Sequence, residues 1–209
     1  MIKKHLDTIL IFFGSSIIII AILLKLNTEY EQKKLVNNYR ENISNMEKED
    51  ISFNEKKEDT LLNKPKDDLI IDSNQKQSNN IIGILSIPKI DLSVGIGEGV
   101  DNETLKYSVG HFSETALPGK SGNLCIIGHR SYAYGEFFNR LNEIEENDYI
   151  IVESYEHVFK YKVTEIKVVT PDQVSVLNQT KDSEITLITC TPIRVGSHRL
   201  IVKGVLVNE

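Results

Sequence analysis

From Ile81 onward the chain consists of short apolar runs separated by turn residues, and this alternation most strongly limits how it can fold. A first predicted strand begins at Ile81 and breaks at Pro88, and a second runs from Ile90 towards Ile96. Few long helical patterns accompany these runs, so the sequence predicts an all-β barrel or sandwich. Later strands are predicted at residues 123–128, 149–153, 158–169, 185–190 and 200–207, with short helical turns at 102–107 and 136–141.

An apolar segment lies near the amino terminus. Residues 8–24 contain no charged side chain, and Lys3, Lys4 and Lys25 bracket them. As a helix they would span about 26 Å, near the lower limit for crossing a bilayer core. No small-residue cleavage site follows, which favours an uncleaved anchor over a removed signal. We therefore expect residues 1–26 to form a signal-anchor transmembrane segment, with the amino terminus inside and the rest of the chain outside.

The next segment, residues 27–80, is dominated by Glu, Lys, Asn, Asp and Gln. Such a composition buries too little apolar surface to offset the entropy of ordering, so we predict a polar, flexible linker. Leu35, Tyr39, Ile43 and Met46 recur at helical spacing, which leaves a helix beside the membrane as the alternative. Residues 81–209 would then form the folded domain, and the net charge of −6 argues against nucleic acid as a partner.

One cysteine is placed where a strand should end. The run Thr-Leu-Ile-Thr-Cys finishes at Cys190, and the next apolar run begins after Arg199. A hairpin closed by residues 192–197 would bring Arg199 beside Cys190, because neighbouring strands lie about 4.8 Å apart. Arg194 falls in the predicted turn, where a solvated charge is usual. Arg199 is therefore the better candidate for a cation that stabilises an oxyanion.

A reactive cysteine needs a proton acceptor or a positive neighbour, and three histidines are candidates for that role. His129 ends a predicted strand after a glycine, where a side chain can face a cleft. His111, beside Phe112, is more typical of a structural hydrogen-bonding histidine. His198 adjoins Arg199, so the two side chains should point to opposite faces of their strand.

The second cysteine, Cys125, lies within an apolar run. A disulfide would be the usual state of two cysteines outside the cell. We expect Cys125 to be a small hydrophobic core residue instead, because pairing would consume the proposed nucleophile Cys190.

Taken together, Thr-Leu-Ile-Thr-Cys at 186–190, Arg199 downstream and Gly-His-Arg at 128–130 upstream resemble the signature of sortases, the membrane-anchored cysteine transpeptidases of Gram-positive bacteria. Residues 109–111, 116–119 and 137–141 also look like that family. The resemblance covers residues 81–207 and implies an eight-stranded sortase-type β-barrel with short helices. It implies that His129 is the catalytic histidine, with Cys190 and Arg199, and that Thr189 contacts the substrate; an ordinary strand threonine is the alternative at 189.

The resemblance also implies a reaction. A sorting signal of LPxTG type would be cleaved between Thr and Gly through a thioester on Cys190, which an amine of a cell-wall precursor then resolves. No cofactor is implied. An acidic group, Glu143, Glu145, Glu146 and Asp148, lacks a regular oxygen-ligand motif, so we expect a solvated face and no metal site.

Two classes of sortase resemble the core of the chain. Class C enzymes, which build pili, usually carry an Asp-Pro-aromatic lid and a second hydrophobic span at the carboxyl end, and the sequence shows neither. Class D is therefore expected. The alternatives are a class C type enzyme that uses a pilin lysine as the amine, a hydrolytic cysteine peptidase, and a surface-binding module without catalysis.

Overall fold

The computed structural model describes residues 2–55, 81–130, 137–155 and 157–207; within the first helix, side chains are described from residue 9 to residue 44. Helix α1 comprises Ile2–Glu55 and helix α2 comprises Asn102–Tyr107. Single 3-10 turns lie at Pro88–Ile90, Leu141–Glu143 and Val174–Leu177. The eight strands are β1 (Ile81–Ile87), β2 (Leu92–Glu98), β3 (Val109–His111), β4 (Gly122–Ile127), β5 (Tyr149–Glu153), β6 (Val158–Val169), β7 (Ser183–Thr191) and β8 (His198–Leu206).

The strands close into a barrel in the order β1-β2-β3-β4-β7-β8-β6-β5, which confirms the predicted eight-stranded barrel. Two neighbouring pairs are parallel, β2 with β3 and β4 with β7, and the others are antiparallel. By these pairings β1, β4, β6 and β7 end at one rim, where β2, β3, β5 and β8 begin. We call this end, residues 88–92, 128–130 and 190–199, the site rim.

Side chains alternate between the barrel interior and its outside, as strand geometry requires. The interior is filled mainly by branched apolar residues, which suit a pleated, buried surface. Phe138 follows the site rim in the chain and closes over this core. The fully buried interior positions include Leu85, Ile87, Leu124, Ile126, Ile185 and Leu187.

The predicted strands agree closely with the observed ones. Residues 149–153, 158–169 and 102–107 match β5, β6 and α2 residue for residue, and the other predicted strands lie within two residues of β2, β4, β7 and β8. Strand β3 was not predicted, because three residues are too few to show an alternating pattern. The predicted turn at 136–141 corresponds to turns at 137–140, and residue 136 lies outside the described part of the chain.

The predicted linker is wrong over residues 27–55, where α1 continues unbroken from the apolar segment. The alternative, a helix with its apolar residues on one face, is correct for Leu35, Tyr39 and Ile43; the side chain of Met46 lies outside the described residues. This face packs on the outside of β1, and the composition of the segment alone does not show that such a contact exists. Residues 56–80, the rest of the predicted linker, also lie outside the described residues.

The contact between α1 and the barrel centres on Tyr39, which is only 3% exposed. Its ring packs with Ile81 and Ile84 of β1, and its hydroxyl donates a hydrogen bond to the carbonyl of Ile82 at 3.1 Å. The ring of Tyr155 lies 4.8 Å from that of Tyr39, centre to centre. The helix is therefore held by burial and by hydrogen bonds.

An ion pair adds to this contact. The Arg40 guanidinium donates from Nη2 to Glu153 Oε1 at 3.1 Å and from Nε to Glu153 Oε2 at 3.3 Å. Two parallel bonds of this kind restrict orientation more than a single one does. We name the contacts of Tyr39 and Arg40 the helix clamp.

The amino-terminal part of α1 does not pack on the barrel. Its apolar side chains between Ile9 and Leu24 are exposed, and the helix is long and apolar enough to cross a membrane by length and composition. It is therefore a candidate single membrane span.

Candidate active site

Strand β7 carries the nucleophile candidate to the site rim and pairs with a neighbour on each side. Across the antiparallel pair with β8, Cys190 lies directly opposite Arg199. This is the hairpin contact that the sequence predicted. Cys190 is half-buried and its thiol is free. A thiol and a guanidinium therefore occupy adjacent strands at the barrel rim.

His129 follows β4, on the other side of β7. In the parallel pair, Ile127 is level with Ile188, and the amide of Gly128 donates to the carbonyl of Ile188 at 3.1 Å. Continuing this register by two residues places His129 level with Cys190. Adjacent strands are about 4.8 Å apart, so this register would bring His129 beside Cys190. His129 is half-buried.

Thr189, for which the resemblance implied a substrate contact, has its side chain engaged within the protein. Its side chain is fully buried, and its hydroxyl donates to the carbonyl of Gly128 at 2.8 Å. This bond joins β7 to the end of β4 directly before His129. The structure therefore gives Thr189 a positioning role: it fixes the backbone of the histidine relative to that of Cys190.

Arg130 is a component of the site that the sequence reasoning missed. Its side chain is 9% exposed and lies beneath the site rim. Nη1 donates to Thr191 Oγ1 at 2.7 Å and to the carbonyl of Cys190 at 3.4 Å, and Nη2 donates to Asn142 Oδ1 at 2.7 Å. Nε also reaches the carbonyl of Asn139, at 3.5 Å. Arg130 thus ties the end of β7 to residues 139–142.

Burial is the main influence on this guanidinium. It lowers the pKa of Arg130, while the nearby Cys190 acts in the opposite direction. The sequence did contain a signal for this residue, because Arg130 directly follows the candidate catalytic histidine. Alternation along the chain then places Arg130 on the buried side when His129 faces the cleft.

The hairpin between β7 and β8 closes against the thiol. Gly196 has a φ of +64°, and a Cβ built on it would lie 3.6 Å from Cys190 Cβ and 4.0 Å from its Sγ. Its carbonyl accepts a hydrogen bond from Arg199 Nη1 at 3.0 Å, and so does the carbonyl of His198. Arg199 Nη2 and Nε donate to no residue in the described part of the chain. Arg194 is exposed in the turn, as predicted.

Cys125 is a core residue, as the sequence predicted. It is completely buried, and burial raises the pKa of its thiol to about 12. Its partner across the parallel pair is Thr186, four residues before Cys190 on β7. That separation is about 13 Å along a strand, too far for a disulfide. Only Cys190 is placed to react.

His111 and His198, the other two candidates, have different surroundings. His111 is buried, with Nδ1 2.8 Å from Glu98 Oε2 and Nε2 3.1 Å from Thr115 Oγ1. It pairs with Ile126 of β4 and is occupied by structural hydrogen bonds, as expected. His198 is exposed beside Ser197, at a ring-to-hydroxyl distance of 2.9 Å.

Three acidic residues that follow the site rim in the chain, Glu143, Glu145 and Asp148, lie beside cations. Arg140 binds Glu143, and Lys89 lies 3.2 Å from Glu145 and 4.0 Å from Asp148. Within residues that the structure describes, no group of three or more His, Cys, Asp or Glu side chains could hold a metal ion.

The arrangement can perform nucleophilic acyl transfer. A thiol can attack a carbonyl carbon, an imidazole beside it can exchange protons with the thiol and the leaving group, and a guanidinium can stabilise the oxyanion. Arg130 and Thr189 hold these groups from below without facing the cleft.

Comparison with known proteins points to one family. A sequence profile described as the sortase domain matches residues 85–207. Among curated proteins, the chain is 39% identical over 142 residues to sortase SrtE1 of Streptomyces coelicolor, covering 60% of this chain and 40% of that protein. It is 33% identical over 122 residues to sortase D of Bacillus subtilis, covering 57% and 59%. The chain thus spans about 40 to 60% of the length of these relatives.

Solved structures agree. Sortase A from Corynebacterium diphtheriae is 36% identical, with a TM-score of 0.61, covering 65% of this chain and 64% of that one. A Clostridium perfringens sortase D5 transpeptidase is 29% identical, with a TM-score of 0.65. The latter match covers 85% of this chain and 98% of that structure. It therefore extends beyond the barrel, residues 81–207.

The two cysteines should differ in reactivity. A pKa raised to about 12 leaves Cys125 with roughly one thiolate in 10,000 at pH 8, and its burial excludes reagents. Iodoacetamide should therefore alkylate Cys190 at least about tenfold faster in the folded protein, as measured by mass spectrometry of the digest. Both should react after denaturation. Equal rates in the folded protein would contradict the placement of Cys125.

Replacing Arg130 should destabilise the protein. Arg130→Lys keeps the charge but loses the planar set of donors to Thr191, Asn142 and the carbonyl of Cys190. We expect the free energy of unfolding to fall by about 1–3 kcal/mol, measured by thermal or chemical denaturation. The matched variant Arg194→Lys, at an exposed turn position, should change it by less than about 0.5 kcal/mol. Similar stabilities for the two variants would show that Arg130 does not hold the site together.

Proposed function

The chain belongs to the sortase family, and we propose that it is a cysteine transpeptidase that cleaves a sorting signal of LPxTG type between Thr and Gly and transfers the protein to an amine of a cell-wall precursor. The observation that carries this proposal is the pairing of β7. Arg199 lies opposite Cys190 in the pair with β8, and the register with β4, continued two residues past Ile127 and Ile188, supports His129 as the neighbour on the other side.

The first half of the proposed reaction forms a thioester. The Cys190 thiol passes its proton to His129 as Sγ attacks the carbonyl carbon of the signal threonine, and the negative charge that develops on the carbonyl oxygen is stabilised by the guanidinium of Arg199. The carbon–nitrogen bond to glycine then breaks. His129 gives a proton to the departing glycine nitrogen, which leaves as a neutral amine.

The second half transfers the acyl group. An acceptor amine attacks the thioester carbon, and His129 accepts the proton that the amine loses. The carbon–sulfur bond breaks, His129 returns this proton to the sulfur so that Cys190 regains its thiol state, and the threonine carbonyl ends in a new amide bond. No oxidant, reductant or cofactor is needed to balance either step.

Arg199 suits the oxyanion role because its position is constrained. Nη1 is held by the carbonyls of Gly196 and His198 at 3.0 Å each. A planar guanidinium fixed through one nitrogen keeps its other donors in a defined direction. Those donors can serve the oxyanion or a substrate carbonyl.

We propose a class D type enzyme in preference to the pilus-building class C type. The near-complete overlap with the Clostridium perfringens sortase D5 transpeptidase supports this assignment. The sequence between residues 27 and 80 also lacks an Asp-Pro-aromatic motif. The proposed site of action is the outer face of the cell membrane, with α1 as a single-pass anchor.

Arg199→Lys should slow catalysis while the fold persists. The ammonium keeps the charge but loses the planar donors, so turnover of a quenched LPxTG-type peptide should fall by at least about tenfold, or about 1.4 kcal/mol of barrier. The matched variant Arg194→Lys should stay within about twofold. If the two variants rank the other way, Arg194 rather than Arg199 serves the oxyanion.

Product analysis should separate transfer from hydrolysis. The intact mass of the enzyme incubated with signal peptide should rise by the acyl fragment, and Cys190→Ala should abolish this increase. Adding an amine acceptor should give a product joined to that amine. A product that gains only water at every amine concentration would support a hydrolytic cysteine peptidase. A strong preference for a lysine side chain of a pilin-type peptide would favour the class C type.

A further inference from the structure

The helix clamp and the site rim have a definite relation along the barrel. Tyr39 and Arg40 contact Ile82 and Glu153, which lie in the half of the barrel away from the site rim, because β1 begins there and β5 ends there. From this contact the helix can run towards either end of the barrel. Its direction decides which end faces the membrane.

The cleft between α1 and β2 settles the direction. On the helix it is lined by residues 21–32, including Ala21, Leu24 and Lys25, and on the barrel by residues 90–94 together with Phe137 and Arg140. Residues 90–92 belong to the site rim. Following the helix backwards from Arg40 to Ala21 therefore leads along the barrel towards the site rim, and the exposed apolar residues continue beyond it.

The lengths agree with this path. From Tyr39 back to Leu24 the helix rises about 22 Å, which is close to the length of a seven-residue strand such as β2. The barrel therefore lies alongside residues 21–43 of α1. The uncharged stretch 8–24 ends within this range, at Leu24. The last turn of the candidate span is thus level with the site rim.

We propose that α1 holds the barrel with its site rim against the polar surface of the membrane, so that the cleft containing Cys190 opens at the headgroup layer. The inference rests on the proposed function in one respect: α1 must be the membrane anchor. It adds that the enzyme meets substrate groups that are held at the bilayer surface.

The helix is suited to set this orientation. Its only glycine is Gly14, and it contains no proline, so no break separates the apolar segment from the clamp. Leu35, Val36 and Ile43 pack around Tyr39 on the face that meets β1. A continuous helix fixed at such a contact transmits the direction of the span to the barrel.

The charged residues at the site rim and next to it suit a headgroup layer. Lys89 is 44% exposed and pairs with Glu145 and Asp148, and Arg140 pairs with Glu143. These charges would be costly in hydrocarbon but are compatible with the polar interface. Because both signs are present, attraction to anionic lipid is not what orients the barrel. The helix clamp sets the orientation, so neutral and anionic membranes should give the same result.

The test measures the depth of each barrel end in the full chain reconstituted into vesicles. The background is Cys190→Ala, in which the buried Cys125 remains unlabelled. Lys89→Cys, at the site rim, and Lys181→Cys, before β7 at the opposite end, are both exposed lysine positions, and each would carry an environment-sensitive fluorophore. Lipids with a nitroxide on the headgroup act as a short-range quencher.

We expect the Lys89→Cys label to be quenched about twofold or more and the Lys181→Cys label hardly at all, because a nine-residue strand separates the two ends by about 20 to 30 Å. Phosphatidylcholine vesicles with and without phosphatidylglycerol should agree. Equal quenching, stronger quenching at Lys181→Cys, or a difference that requires the anionic lipid would overturn the proposal.

A variant of the helix clamp provides the second part of the experiment. Tyr39→Ala with Arg40→Ala should abolish the difference between the two labels, while protection of Cys125 from alkylation verifies that the barrel is folded. A difference that persists in this folded variant would show that the clamp does not orient the barrel. The readout needs no catalysis, so a failure of the proposed transpeptidation and a failure of this orientation are separately visible.

Discussion

The site depends on the pairing of one strand, β7, with a neighbour on each side. His129 follows its parallel partner β4, and Arg199 lies on its antiparallel partner β8, so Cys190 stands between the candidate base and a cation. A slip of one residue in either pair would turn one member of the site to the other face. Strand register therefore brings His129 and Cys190 together, although their positions in the sequence differ by sixty-one.

Two buried polar side chains protect that register. Thr189 joins its strand to Gly128, and Arg130 joins the ends of β4 and β7 to Asn142. Buried donors left without partners are costly, so a slipped pairing would lose these bonds without gaining water. Thr189 and Arg130 thus form a buried polar layer beneath the candidate reactive groups.

Much of the fold could be predicted from the sequence because long strands show their period. Strand β6, with twelve residues, and the run that ends at Cys190 were located within two residues, and the turn at 192–197 was enough to place Arg199 beside the thiol. Strand β3 has only three residues and could not be seen this way. Arg130 was missed because its role depends on which way a side chain points at a strand end. For Thr189 the sequence left a substrate contact and an ordinary strand threonine open, and the side chain is buried. The continuation of the helix beyond residue 26 was expected only as the alternative to a linker, because the contact that stabilises it lies on an outside face of β1 that composition does not reveal.

The burial of Cys125 determines how Cys190 would respond to an oxidant. Oxidation of Cys190 to a sulfenic acid would find no second thiol within the chain to condense with, since Cys125 is sealed in the core about 13 Å away along the strands. The chain therefore has no resolving cysteine, and the sulfenic acid can condense only with an external thiol. The same placement excludes an internal disulfide, so reduction needs two external thiols: the first displaces water and forms a mixed disulfide with Cys190, and the second releases the Cys190 thiol.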